Sequence, residues 1–171
     1  GATWQQLGGE LSIYAGTAGV NFGYSVKLNG AGTRVIVGAP GAQHTSNLQT
    51  GGRVIVYDWL VSDWVTAYNI LGVTHNGLQG QCVDISSNGN IIAFTKDYNH
   101  SNSLGVLLYD ITSTLTHIGT IDNLWTLTSS TTINSISLSS DGLIIALGFT
   151  ESNSNKGRVL VYEYNGGTSW T

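Results

Sequence analysis

The chain has 171 residues, of which 41% are apolar and only 9% are charged, with a formal net charge of −4. Gly, Ser, Thr and Asn replace the missing charges, and these residue types favour turns over helices. The scattered Lys and Arg argue against nucleic acid, which requires clustered cations, and no apolar run reaches the roughly 20 residues that span a bilayer. Because little charge repulsion keeps such molecules apart, self-association is an open possibility.

The N-terminus and the cysteine content bear on the origin of the chain. It contains no Met, begins Gly1-Ala2-Thr3 and shows no signal peptide. We therefore expect either that a leader has been removed or that the chain is a piece of something longer. The single Cys82 rules out an intrachain disulfide framework.

A strand, a glycine turn and a second strand recur three times. The copies cover Ser25–Gly38, Cys82–Phe94 and Ser135–Gly148. Their segments of five to seven residues are rich in Val, Ile and Leu, which suit a half-buried strand. Asn88-Gly89 and Asp141-Gly142 are expected to supply the positive φ of tight hairpin turns.

Each copy continues through a polar loop into a third strand that ends in Tyr and an acid. A fourth strand is predicted at the start of each period, because three segments hold the same position in the repeat: Trp4–Gly8, Trp64–Leu71 and Leu115–Gly119. Trp170 holds that position again near the end of the sequence. We therefore predict one all-β domain over residues 1–171, with repeats at about 4–63, 64–114 and 115–169. Each repeat is expected to be a four-stranded antiparallel unit of the size of a propeller blade.

Residues of the first copy carry a family resemblance. Phe22-Gly23 and Gly38-Ala39-Pro40 are spaced as in the FG-GAP repeat, and the first 60 residues resemble integrin alpha-type β-propellers. The match is partial elsewhere, since Phe94-Thr95-Lys96 replaces Gly-Ala-Pro. The resemblance implies an extracellular or cell-surface propeller used for adhesion or binding. The turns corresponding to the family's calcium loops each offer at most one good oxygen ligand, whereas Ca²⁺ takes about six to eight. No calcium or other cofactor is therefore predicted.

Three blades are too few for an ordinary ring, because propellers typically close with about four to eight. An open stack leaves apolar end faces. We predict that an assembly strand, Trp4, Gln5, Gln6 and Leu7, completes the sheet of another copy by strand addition. Such head-to-tail contacts give a ring, six-bladed for two copies, or a filament. The other interpretation is a piece of a longer array.

Residues that could carry catalysis or hold a metal show no supporting pattern. His44, His75, His100 and His117 lack the spacing of zinc ligands. Cys82 replaces a serine of the sister repeats, so a small half-buried side chain is the simplest interpretation. No nucleophile elbow or phosphate loop is present. We therefore predict a protein without enzymatic activity.

The recurring aromatic residues leave a second function open. They are either packed between blades or available to stack on sugars, which would make the chain a lectin. The polar loops at 41–51, 96–104 and 150–157 are further candidate contact sites, and the sequon Asn99-His100-Ser101 predicts glycosylation at Asn99. The leading hypothesis is a structural or adhesive protein that assembles with itself, and glycan binding is the alternative. The aromatic candidates are Tyr57, Trp64, Tyr109, Tyr162 and Trp170.

Overall fold

The Val- and Ile-rich segments form antiparallel hairpins along the chain. The computed structural model describes residues 1–13, 19–43, 51–73, 77–96, 104–122, 124, 131–151 and 156–171. Within these ranges the regular elements are strands: β1 (Ser25–Leu28), β2 (Arg34–Ala39), β3 (Arg53–Leu60), β4 (Asp63–Leu71), β5 (Val83–Ile85), β6 (Ile91–Thr95), β7 (Val106–Asp110), β8 (Thr116–Ile121), β9 (Thr131–Leu138), β10 (Ile144–Glu151) and β11 (Gly157–Glu163).

The strands group into three sheets in chain order. Sheet 1 has the order β1-β2-β3-β4, sheet 2 the order β5-β6-β7-β8, and sheet 3 the order β9-β10-β11. Every pairing is antiparallel between consecutive strands. The all-β class is confirmed. The prediction of four strands in every unit is wrong for sheet 3, which has three in the described residues. A bridge between Tyr164 and Trp170 continues beyond its third strand.

The sheets and the sequence repeats differ in phase by one strand. β4 pairs with β3, and β8 pairs with β7. The first strand of each of the sequence repeats 64–114 and 115–169 is therefore the fourth strand of the preceding sheet. A repeat period does not specify which neighbour a strand joins, because that choice depends on pairing between distant residues.

The three turns between the first two strands of each sheet share one geometry. Gly32, Gly89 and Gly142 have φ values of 67°, 77° and 79°, in the left-handed region that glycine adopts without a Cβ clash. The positive φ predicted for the Asn88-Gly89 and Asp141-Gly142 turns is supplied by the glycines, and Asn88 and Asp141 do not share it. Their side chains instead accept hydrogen bonds from backbone N–H groups two residues onward, at 3.0 Å each.

The sheets stack face to face through apolar side chains. We call the face that a sheet turns toward the next sheet its forward face, and the opposite one its rear face. The forward face of sheet 1 packs on the rear face of sheet 2, and the forward face of sheet 2 on the rear face of sheet 3. The first interface joins Ile36, Val54, Val56 and Ile70 to Val83, Ile85, Ile92 and Phe94; the second joins Ala93, Val106, Leu108 and Ile121 to Ile133, Ile145, Leu147 and Phe149.

Burial at these interfaces provides the main driving force for the stack. Val54, Val56, Phe94 and Leu108 are all 0% exposed, and each such side chain contributes about 1.5–3 kcal/mol on full burial. None of the described residues belongs to a helix that is long and apolar enough to cross a membrane.

Candidate functional site

The forward face of sheet 3 is the largest departure from the repeated packing. In strand register, Val159 and Val161 of β11 correspond to Val54 and Val56 of β3. The two β3 residues are 0% exposed, whereas Val159 is 67% and Val161 is 62% exposed. Ile144 of β10, on the same face, is 44% exposed. Sheet 3 therefore presents an interface surface of the same kind as sheets 1 and 2, without a following sheet on it.

The rear face of sheet 1 is bare along its first strand. Val26 and Leu28 of β1 are 61% and 52% exposed. Their counterparts in sheet 2, Val83 and Ile85, are 8% and 4% exposed because sheet 1 covers them. The two ends of the stack thus expose the forward half of the recurring interface and the first-strand part of its rear half.

The N-terminal residues cover the rest of this rear face. Val35, Val37, Ile55 and Tyr57 are buried there. The side chains packed against them are Leu11, Ile13, Phe22 and Trp64. The covering segment therefore lies where part of a preceding sheet would lie.

A row of backbone hydrogen bonds links the turns of successive sheets. The Gly30 N–H donates to the Ser87 carbonyl at 2.9 Å, and the Ser87 N–H donates to the Ser140 carbonyl at 2.9 Å. The three residues hold equivalent places in their turns. At the ends of the row, sheet 3 presents the Ser140 N–H as a donor and sheet 1 the Gly30 carbonyl as an acceptor.

A second row of hydrogen bonds starts from the first strand of each sheet. Ser25 Oγ donates to the Gly80 carbonyl at 2.9 Å, and Cys82 Sγ donates to the Ile133 carbonyl at 3.4 Å. Ser135 is the third residue of this set, on the open forward face of sheet 3. The N–H groups of Gly23 and Gly80 each donate to the second strand of the sheet that follows them, Gly23 to Gly38 and Gly80 to Thr95. Gly23 is therefore the equivalent of Gly80, and its carbonyl is the corresponding acceptor in sheet 1.

Asp84 joins all three sheets by polar contacts. It is 2% exposed, and it accepts hydrogen bonds from the backbone N–H groups of Leu138 at 2.6 Å and Ile85 at 2.8 Å. The Lys27 ammonium lies 3.3 Å from the carboxylate. A buried carboxylate requires such partners, because an unpaired buried charge is costly. These contacts account for Asp84 as a structural residue.

The predicted aromatic candidates lie in packed surroundings. Tyr57 is 5% exposed, and Tyr109 and Tyr162 pack against the two inter-sheet cores. Burial raises the pKa of all three phenols. Trp170 packs against the core between sheets 2 and 3. These positions favour the packing interpretation over sugar stacking, and glycan binding stays a prediction from the sequence.

The predicted assembly strand forms no strand ladder with the residues that the structure describes. Trp4 is fully exposed, and Leu7 is 55% exposed. The segment is held beside sheet 1 by two hydrogen bonds: Trp64 Nε1 donates to the Leu7 carbonyl at 3.1 Å, and the Gly9 N–H donates to Asp63 Oδ1 at 3.0 Å. The Asp63 pKa lies below its ordinary value because its carboxylate accepts hydrogen bonds from the N–H groups of Gly9 and Trp64.

The remaining candidates are placed as follows. Burial raises the pKa of the Cys82 thiol, which disfavours the reactive thiolate. His117 Nε2 lies 2.9 Å from Thr120 Oγ1. His44, His75, His100, Asn99 and most of the three polar loops lie outside the described residues. In the part of the chain that the structure describes, no group of three or more His, Cys, Asp or Glu residues could hold a metal ion.

Sequence reasoning predicted an assembly segment, which stays a prediction, and did not predict the exposed valines or the two hydrogen-bond rows. The signal was present in the repeat alignment. Ser135 and Gly148 repeat Ser25 and Gly38, although no following sheet within the described residues contacts them.

Comparisons with known proteins bear on the fold. No protein-family model and no curated protein matches the chain. Among solved structures, a functionally unknown protein from Desulfotomaculum acetoxidans matches 91% of this chain and 41% of its own, with 13% identity and a TM-score of 0.57. Hydrazine synthase from Kuenenia stuttgartiensis matches 80% of this chain and 37% of its own, with 16% identity and a TM-score of 0.51.

A third similar structure is a eukaryotic initiation factor. It matches 86% of this chain and 32% of its own, with 11% identity and a TM-score of 0.54. The chain therefore spans about two-fifths or less of the length of these solved chains. At such low identity the similarity shows a shared sheet architecture and carries no activity with it.

Proposed function

We propose that this chain is a non-enzymatic, propeller-type repeat module with a structural or adhesive role outside the cell. It assembles through its two end faces with copies of itself or with further sheets of the same kind. The observation that carries the proposal is the exposure of Val159 and Val161, 67% and 62%, at positions that are 0% exposed in sheet 1.

The exposed faces supply an energetic reason for assembly. Full burial of an exposed side chain contributes about 1.5–3 kcal/mol, and Val159, Val161 and Ile144 would contribute in proportion to their exposure of 67%, 62% and 44%. Association costs at least about 4 kcal/mol in lost translational and rotational freedom. The apolar gain from these three residues, roughly 3–5 kcal/mol, is comparable to the minimum cost, and the hydrogen-bond rows that end at Ser135 and Ser140 add to it and give the contact its direction.

Other parts of the proposal have different support. The extracellular adhesive role depends on the FG-GAP-like spacing of Phe22-Gly23 and Gly38-Ala39-Pro40 and on the sequon at Asn99. The non-enzymatic role depends on the lack of a catalytic motif in the sequence. A head-to-tail contact supports either a closed pair of chains or an open filament.

The test is the particle mass of the purified chain, measured by light scattering over a range of concentrations. We expect a dimer or larger species rather than a particle of 18.1 kDa. Val161→Asp should weaken assembly at least 100-fold, because a buried carboxylate would lack a partner. The matched control is Val61→Asp, which places the same charge at a 99% exposed site with a φ of 58°.

Three outcomes of this measurement bear on the proposal. Assembly that Val161→Asp abolishes and Val61→Asp leaves unchanged supports the proposal. A wild-type chain that stays monomeric up to about millimolar concentration contradicts it, because even a weak association with a Kd of about 1 mM would be detected there. Assembly that is insensitive to Val161→Asp would mean that another surface is used.

A further inference from the structure

We infer that residues Gln6–Gly8 form part of the fourth strand of sheet 3 in a second copy of the chain. The inference rests on the proposed function and specifies how the two end faces meet. Its starting point is a repeated contact between a tryptophan and a glycine.

Trp170 lies on Gly119 in the contact between sheets 3 and 2. A methyl group at Gly119 would lie 2.5 Å from Trp170 Cδ1, so the ring packs directly on the backbone of β8. Trp170 is the bridge partner of Tyr164, just after β11. Gly119 lies in the fourth strand of sheet 2, opposite Leu108.

Trp64 and Gly8 repeat this contact at the start of the chain. Trp64 pairs with Trp59 as Trp170 pairs with Tyr164. A methyl group at Gly8 would lie 3.2 Å from Trp64 Cδ1. Gly8 therefore lies against sheet 1 as Gly119 of the fourth strand of sheet 2 lies against sheet 3. It occupies a fourth-strand position of a sheet that would precede sheet 1.

Sheet 3 of a second copy fits here, against the exposed first strand of the rear face and alongside the N-terminal residues that cover the rest of it. Its forward face is of the type that packs on a rear face, and β11 is an edge strand of the sheet in the described residues. β11 pairs with β10 on one side. On the other side, in the described residues, backbone hydrogen bonds join Glu163 to Thr171 at 2.7 and 3.0 Å. Back along β11 from there, no strand of the described residues lies beside Tyr162 and Val161.

The register follows from sheets 1 and 2. Glu163 and Thr171 correspond to Asp58 and Val65 of sheet 1. The next pair in that sheet is Tyr57 with Thr66, followed by a bulge and then Val56 with Tyr68. Sheet 2 repeats both pairs and the bulge.

Transferred to sheet 3, this register pairs Tyr162 with Gln6 and Val161 with Gly8 of the second copy. Trp170 and Thr171 already fill the places equivalent to Trp4 and Gln5. The donated part is therefore Gln6–Gly8, which is short for a strand and pairs with Tyr162 and Val161, the β11 residues that have no fourth-strand neighbour in the described residues.

A second copy explains the observations better than an unrelated partner, because both hydrogen-bond rows find their acceptors. Ser140 N–H would meet the Gly30 carbonyl, and Ser135 Oγ the Gly23 carbonyl, as Ser87 and Ser25 do with their partners inside the chain. The segment is also already held by Asp63 and Trp64. Such preorganisation lowers the entropy cost of docking.

The test is hydrogen exchange by mass spectrometry on peptides covering residues 157–163. The Glu163 N–H donates to Thr171 and the Tyr164 N–H to Leu143, so alternate amides of β11 face the open edge, and Val161 is the residue whose amide Gly8 would pair. In the assembled wild-type chain, we expect the amide of residue 161, corrected for its intrinsic rate, to exchange at least 10-fold more slowly than in Val161→Asp. A chain lacking residues 1–7 should lose this protection and assemble at least 10-fold more weakly. The matched control lacks residues 1–3 and should behave as wild type.

Each outcome bears on one proposal or both. Assembly in which the amide of residue 161 exchanges as fast as in Val161→Asp overturns the strand addition and leaves the proposed function standing. Full protection in the chain lacking residues 1–7 also overturns it. A monomeric wild-type chain overturns both. If the truncated chain fails to fold, the exchange comparison on the full chain still decides the question.

Discussion

Substituting Gly38 by Ala tests how closely sheets 1 and 2 approach. Gly38 lies in β2 on the forward face of sheet 1, opposite Ser25. A methyl group there would overlap the Gly80 carbonyl oxygen and lie 2.5 Å from Ser25 Oγ. A backbone carbonyl cannot rotate away, so the two sheets would have to separate locally.

The expected cost combines two effects. Overpacking of a well-packed core costs about 1–3 kcal/mol, and weakening the Ser25–Gly80 hydrogen bond of 2.9 Å adds about 0.5–1.5 kcal/mol. We therefore expect Gly38→Ala to lower the free energy of unfolding by about 3 kcal/mol, roughly 150-fold in the unfolding equilibrium.

Gly148→Ala is the matched control, because Gly148 holds the same place in sheet 3. A methyl group there would meet only the Ser135 side chain closely, which can change rotamer. We expect a loss below about 1 kcal/mol, partly offset by the reduced entropy of the unfolded chain. Urea denaturation followed by Trp fluorescence, in the Val161→Asp background, measures both variants without a contribution from assembly. Equal losses for the two variants would refute the argument that a neighbouring sheet makes glycine necessary at position 38.

Two further predictions concern carboxylates. Asp84→Ala should destabilise the chain by about 3–5 kcal/mol, because the N–H groups of Leu138 and Ile85 lose a buried acceptor; Asp84→Asn should cost less in the same urea titration, and an unchanged midpoint for Asp84→Ala would contradict this account. The lowered pKa of Asp63 means that its stabilisation of the N-terminal segment is present above the unfolded pKa of about 4 and is lost as pH falls through the lower folded value. Trp fluorescence should report release of that segment below about pH 4, and Asp63→Asn should remove this pH dependence; a transition that persists in Asp63→Asn would assign it to another group.

Much of the fold could be predicted from the sequence because its signals are local. Five- to seven-residue runs of Val, Ile and Leu indicated the strands, and Gly32, Gly89 and Gly142 marked the turns. The requirement for a left-handed residue at each turn is a property of a few consecutive residues. Only the structure showed the division of roles within a turn, in which Gly89 adopts the positive φ and the Asn88 side chain accepts a hydrogen bond.

The candidate site could be predicted only in part. The recurrence of Trp4–Gly8 in the fourth-strand slot indicated an assembly segment, because a repeat alignment shows which residues are equivalent. It did not show that Gly8 would lie under Trp64 while still on its own chain. That contact joins residues more than 50 positions apart, and its formation depends on the whole of sheet 1.

The sequence by itself determined the strands, the turns and the threefold repetition, since each depends on neighbouring residues. Only the tertiary structure decided which sheet a fourth strand joins and which apolar face is left uncovered. β3 reads Val-Ile-Val-Tyr and β11 reads Val-Leu-Val-Tyr, yet Val54 is 0% and Val159 is 67% exposed. The physical reason is that burial depends on the sheet packed against a strand, and two nearly identical strands differ only in having that neighbour.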